Sequence, residues 1–359
     1  MAFSNVILWI MAFGAVLGGV DRVIGNRLGL GEHFEAGFQA LGPLALSMVG
    51  IMCLSPPAAG WLAPVVVPLL SAIGADPSVF AGLVLANDMG GYTLAAELAR
   101  TEAAGVFSGL VVASMMGCTV VFSIPVGLRL IDEADRPHFA KGLLLGVIAI
   151  PFGALVGGLL TELTPGMVLL NSIPVAVIAA LLALGLTFAP KGMIRGCLGF
   201  GKVISAAATI GLIAAAFQEM TDVALIPGLA PASEALAVVG SIGVVLLGTF
   251  PVLALLTRAL TKPLAAIGGK AGLDATSTAG LLFTMANPIP VFKTMGKMNT
   301  RGKIINTAWL VPVTAVFGDH LGFTAGVRPE AIGAVVAAKL AAGVLALAMA
   351  LWATRPNRA

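Results

Sequence analysis

The sequence predicts an all-α polytopic membrane protein made of two inverted repeats, with about 9 full crossings plus two re-entrant or broken helices, roughly 10–11 segments in all. Three observations carry this prediction. Of 359 residues, 58% are hydrophobic and only 10% are charged, with a mean hydropathy of +1.03, whereas a soluble domain carries about 25% charge. Apolar runs of about 20 residues, each long enough to cross the hydrocarbon core as a helix, recur along the whole chain. Lys and Arg gather in a few loops, as cytoplasmic loops do. This composition excludes a soluble enzyme, a nucleic-acid binder and a disordered chain. A membrane β-barrel would show alternating segments of about ten residues, and the sequence has none.

In chain order, uninterrupted apolar stretches fall near residues 3–20, 37–56, 103–128, 142–160, 166–188, 203–217, 235–257, 304–318 and 331–353. The opening Met1–Val20 lacks a basic leader region and runs straight into Asp21-Arg22, so it is expected as a retained first helix. Two shorter stretches, 78–98 and 276–292, are interrupted by Gly or Pro. Pro57–Gly74 and Arg258–Gly269 are expected as amphipathic pieces, the second lying at the interface because of its charges. Cys53, Cys118 and Cys197 form no CxxC pair, have no nearby His and are expected as buried small residues.

The basic loops fix the orientation. Arg129, Arg136 and Lys141 fill one, Lys191, Arg195 and Lys202 the next; Arg258, Lys262 and Lys270 follow, then Lys293, Lys297, Arg301 and Lys303, and last Arg355 and Arg358. Thr161–Gly166 and Phe217–Glu234 hold no Lys or Arg. With the basic loops cytoplasmic, both flanks of 276–292 lie inside, so that segment enters and leaves on one side, broken at Asn287-Pro288-Ile289-Pro290. The flanks of 78–98 fit outside, with Asn87-Asp88-Met89-Gly90-Gly91 as its break.

Echoes join the two halves. Pro68–Gly74 matches Pro263–Gly268, Ala81-Gly82-Leu83 and Ala86-Asn87 match Ala279-Gly280-Leu281 and Ala286-Asn287, and Ser123–Val126 matches Leu310–Val313 more faintly. The expected organisation is therefore a first membrane repeat over 1–165, a connecting helix and loop over 166–194, and a second repeat over 195–359. Inverted repeats with interrupted helices in matching places mark secondary transporters, whose substrate site lies at the interruptions.

Asp88 is the foremost candidate, because a carboxylate inside an apolar segment is costly and usually functional. Gly90 and Gly91 let the backbone unwind beside it, while Asn87 and the freed carbonyls accept N–H donors. The alternative is structural: the Asp88 carboxylate caps the second half-helix through the N–H of Gly90 or Gly91. Asn287 supplies an amide for a hydroxyl or ammonium group, and Pro288 and Pro290 enforce its break. Asp319-His320 is expected near the membrane surface, as a solvated helix end or as a coupling pair or gate at the mouth. Glu97 with Arg100, and Asp132–Asp135 with Arg129 and Arg136, are expected as interfacial ion pairs. Lys339, inside the last run, should snorkel or pair. Ser114, Thr119, Ser123, Asn171 and Asn306 suit contacts between helices. Catalytic and nucleotide-binding motifs are missing, and no catalytic residue, metal or cofactor is expected.

Several stretches carry a resemblance: Ala86-Asn87-Asp88-Met89-Gly90-Gly91, Ser114-Met115-Met116-Gly117, Val121–Val126, Val238–Ile242, Thr300–Asn306 and Gly318–Phe323. Across essentially the whole chain the sequence resembles the ethanolamine permeases of the ethanolamine-utilisation system. The resemblance implies a bacterial inner-membrane protein that brings in ethanolamine, which a cobalamin-dependent ammonia-lyase then consumes. The sequence departs from that family's pattern at Asn87, where Cys is common, at Pro288, where a second Asn is common, and in a shorter loop after the first helix. The implied partners are ethanolamine and the lipid bilayer, with no nucleic acid; a homo-oligomer is compatible. Asp88 and Asn287 suit an ammonium and a hydroxyl two carbons apart, and Tyr92, Phe283, Trp309 and Phe317 are candidates for a cation–π wall. Two alternatives remain at this level. One is a proton- or sodium-coupled carrier of another small amine or amino acid; the other is a membrane amine sensor, which would need a larger soluble loop or tail than the sequence provides.

Overall fold

A computed structural model describes residues 3–355; Met1 and Arg358, used above, lie outside the described residues. Among the described residues there are helices and no strands. The principal helices are α1 (Phe3–Val23), α2 (Gly31–Gln39), α3 (Leu41–Ser71), α4 (Val79–Val84), α5 (Tyr92–Leu98) and α6 (Glu102–Leu130). They continue with α7 (Arg136–Gly158), α8 (Pro165–Phe188), α9 (Pro190–Thr221), α10 (Ala232–Lys270), α11 (Ala275–Ala286), α12 (Ile289–Thr294), α13 (Thr300–Val313), α14 (Asp319–Val327) and α15 (Ile332–Ala353). Among the described residues, eight helical stretches are long and apolar enough to cross a membrane, so the chain is a multi-pass membrane protein.

Two expectations about elements are corrected. Pro57–Gly74 is not a separate amphipathic piece, since α3 runs through Pro56, Pro57, Pro64 and Pro68 without a stop. Likewise Arg258–Gly269 belongs to α10, which contains Pro251 and Pro263. At 1.5 Å per residue these helices of 31 and 39 residues reach roughly 46 and 58 Å. Each is longer than the hydrocarbon is thick and must tilt or project beyond it. The 304–318 stretch also differs. Helix α13 ends at Val313, and the chain resumes as α14 only at Asp319. The run therefore contains a third break, which hydropathy alone concealed.

The two interrupted segments are hairpins with tied ends. The backbone N–H of Arg100 donates to Asp76 Oδ2 at 3.2 Å, and the Arg100 guanidinium donates to Ser71. The N–H of Asn299 donates to Asp274 Oδ2 at 2.5 Å, and its side-chain amide donates to the Gly272 carbonyl at 3.0 Å. A segment whose two ends are bonded together does not span. Ser78 Oγ donates to the Ala104 carbonyl, setting the first hairpin's closed end against the start of α6. The second closes beside Arg301, near the Lys303–Asp135 ion pair beyond the far end of α6. The hairpins thus enter the bundle from opposite ends.

Matching contacts recur at one constant offset along the chain, the offset between Gly74 and Gly272. These two glycines turn the chain with positive φ (73° and 71°), and Asp76 and Asp274 follow them as the caps of the hairpins. Gly82 lies against Ser108 and Gly280 against Asn306, so closely that a Cβ on either would collide. Thr101 and Asn299 cap the helices that follow. Gly50 and Gly248 keep the offset too and meet the carbonyls of Ala208 and Met11, a pair one residue out of it, so α3 packs on α9 and α10 on α1. Of the sequence echoes, only Ala81-Gly82-Leu83 with Ala279-Gly280-Leu281 keeps this offset; the Pro68, Asn87 and Ser123 echoes fall out of register.

Candidate functional site

In the first hairpin, Leu85 and Ala86 are extended, and the next five residues wind as one wide turn. The Ala86 carbonyl accepts from Met89 N–H at 3.1 Å and from Gly91 N–H at 2.9 Å. Gly90 takes φ +84°, and a Cβ there would stand 2.0 Å from Ile51 Cγ2. Only glycine serves at this position. The second break is tighter: Asn287 is extended, and its Oδ1 accepts from Ile289 N–H at 2.8 Å, an Asx turn ahead of α12. At the third break the N–H groups of Ala315 and Phe317 donate to Thr284 and Met285 carbonyls at 2.9 and 2.8 Å. That pairing satisfies the end of α11 without helical bonds.

All three breaks meet at one cavity of about 490 Å³. Asp88 and Met89 come from the first, Asn287 and Pro288 from the second, Ala315, Asp319 and His320 from the third. Cys118, Phe122 and Phe250 add apolar wall, and exposed Arg129 lies at the end of α6. A concave, mostly apolar site with a few convergent polar groups is the usual form of a small-molecule site.

Ligand-atom positions on Asp88, Asp319 and His320 all lie within 4.8 Å of one another. His320 Nε2 stands 3.9 Å from Asp88 Oδ1, beyond hydrogen-bond reach. On the other side of the ring, Lys339 Nζ lies 3.0 Å from His320 Nδ1 and donates to the Ser114 carbonyl at 2.6 Å. Lys339 is fully buried and does not snorkel; its Nζ is held by a carbonyl and a ring nitrogen. No half-helix in the first break carries a side-chain cap, so the capping alternative for Asp88 is not realised and its carboxylate stays available to the cavity.

The structure therefore gathers Asp88, Asn287, Pro288, Asp319 and His320 on one cavity. It does not place the other predicted residues on the wall. Asn87 is fully buried off the cavity with both amide atoms unpartnered. Gly90 and Gly91 shape the backbone, and Pro290 is exposed outside the lining. At the start of α14, just after the third break, His320 is buried and Asp319 half-buried, both on the cavity. Tyr92, Phe283, Trp309 and Phe317 do not line the cavity. Tyr92 accepts from Arg328, and Trp309 donates to the Leu281 carbonyl.

Other polar expectations resolve locally. Among the described residues Glu97 makes no ion pair with Arg100; Arg136 pairs with Glu133, and Asp135 with Lys303. Asn171 accepts from Asp76 N–H and Asn306 donates to the Ser277 carbonyl, both between segments, while the Ser114 hydroxyl bonds within its own helix and its carbonyl takes Lys339. The three cysteines are buried and unbridged.

The family described as "Ethanolamine utilisation protein, EutH" matches residues 3–353. A protein named probable ethanolamine permease EutH from Listeria monocytogenes is 46% identical over 352 residues, covering 98% of this chain and 94% of its own. The like-named protein of Salmonella typhimurium is 41% identical, with 98% and 95% covered. The Bacillus subtilis protein YxeR, described as uncharacterized, is 44% identical, with 99% and 96% covered. No solved structure matches the chain at a significant level.

Proposed function

Because the chain belongs to the family of the ethanolamine utilisation protein EutH, we propose that its cavity carries ethanolamine as the ammonium cation, by alternating access. At the coarser level the chain is a bacterial inner-membrane permease for ethanolamine, not an enzyme. The observation that supports the finer reading is the convergence of Asp88 and Asp319 with Asn287 at the tips of broken segments. The carboxylates offer charge-assisted bonds to the ammonium. An amide donor and acceptor serves the hydroxyl, and the Phe122 and Phe250 rings cover the two methylenes.

The cavity also runs past Gly201, Ser205 and Arg129, toward the ends of α9 and α6 that carry the basic loops. With those loops cytoplasmic, this is the inward-open form of the carrier. The contacts recurring at one offset support an inverted pair of repeats, 1–165 and 195–359 joined through 166–194, whose exchange of roles would open the outer side.

Proteoliposomes containing only this chain test the proposal. Labelled ethanolamine should enter saturably, and external 2-hydroxyethyl compounds lacking the amine should not compete. Imposing proton, sodium and voltage gradients then sorts the carrier class: uptake that follows voltage alone marks a cation facilitator, and dependence on a proton or sodium gradient marks a coupled carrier. Absence of saturable uptake by reconstituted, correctly folded protein would overturn transport and leave a sensor.

A further inference from the structure

Lys339 comes from α15 and is not part of the cavity wall, yet it sits against one side of the His320 ring while Asp88 faces the other. Its Nζ is held by the Ser114 carbonyl and by His320 Nδ1. An ammonium only donates, so Nδ1 accepts and carries no proton. The hydrogen of the neutral ring then sits on Nε2, on the side facing Asp88. The formal charge around the cavity's inner end is two carboxylates and one ammonium, a net of one negative charge. Arg129, the other charged residue on the lining, lies three turns along α6 from Cys118, roughly 16 Å away, and is exposed.

The same geometry argues against a metal. Asp88, Asp319 and His320 have the spacing of three ligands. A metal-bound His, however, donates its second ring N–H to an acceptor, and here that nitrogen faces a lysine ammonium. We propose that Lys339 is the specificity-determining residue of the cavity: a built-in cation that leaves room for one monovalent organic ammonium and excludes diamines and divalent metals. This rests on the amine-carrier reading above and adds the charge class of the cargo. Lys339 acts through the field it sets, and touches no cargo.

Two probes of one length separate charge from shape: 3-amino-1-propanol carries one charge and 1,3-diaminopropane two. Each is tested as an inhibitor of labelled ethanolamine uptake in proteoliposomes, and the ratio of inhibition constants is read because it is independent of the amount of active protein. Wild type should favour the amino alcohol by about tenfold or more. Lys339→Gln should shift that ratio toward the diamine by about tenfold or more, and Lys339→Arg should leave it in place. Adding Asp319→Asn to Lys339→Gln restores the net charge and should restore the amino-alcohol preference. If the single variant does not fold, the double variant decides alone: loss of the preference in folded double variant overturns the proposal. An unchanged ratio in Lys339→Gln overturns it while ethanolamine uptake, and so the carrier reading, still stands.

Discussion

At the scale of single residues, Gly90 and Asp88 divide the work of the first break. Gly90 makes the shape, and Gly90→Ala should cost about 2 kcal/mol or more, from the left-handed backbone and the collision with Ile51. A lowered thermal midpoint in detergent, with Gly42→Ala as a control at an open position, measures it. Asp88 supplies the charge, and it was legible because so few charges interrupt the apolar runs. Lys339 was equally visible as an interior charge, but its partner was not. Nothing in the chain order relates residue 339 to Ser114, 225 positions away. Likewise Phe122 and Phe250 sit in runs of similar composition, and no periodicity distinguishes a cavity wall from lipid-facing surface.

At the scale of elements, the hairpins were legible through the clash between basic flanks and an apolar middle, and through Gly and Pro at their tips. The third break was not. Thr314–Gly318 is apolar and short, and its backbone is satisfied by Thr284 and Met285, partners at the end of α11 with two helices in between. The closure of the second hairpin rests on Asp274, whose carboxylate is pushed up by partial burial and pulled down further by N–H donors from Ser277 and Asn299, ending below the usual range. A depressed carboxylate stabilises the fold above its unfolded value of about 4, and the contribution fades as pH falls through the lower folded value. Asp274→Asn should therefore unfold earlier than wild type at pH 6, with the gap closing toward pH 3 in thermal melts. Asp274→Ala at neutral pH should cost about 1 kcal/mol, as loss of a helix cap does.

At the scale of the whole molecule, the positive loops and the tied hairpins give the same layout. Arg328 pairs with Glu102 and lies near Glu162 on one face, while Lys303 pairs with Asp135 on the other. Maleimide labelling of intact cells should therefore modify Glu162→Cys and Leu225→Cys, but Lys297→Cys only after permeabilisation. The native cysteines are buried and leave little background. Labelling of Lys297→Cys in intact cells would invert the assignment of faces. The broad plan was open to sequence reasoning because crossing a membrane demands long apolar runs, which are local. The cavity was not, because it is assembled from three breaks that lie as far apart in the chain as Ala86 and His320.

The central claim is that a buried carboxylate at the tip of the first hairpin holds the ammonium of ethanolamine during transport. Uptake of labelled ethanolamine by proteoliposomes of Asp88→Asn against wild type, at equal protein incorporation, tests it most directly. Saturable uptake at low substrate should fall by about tenfold or more, the worth of a charge-assisted bond. Wild-type uptake by the variant would contradict the account.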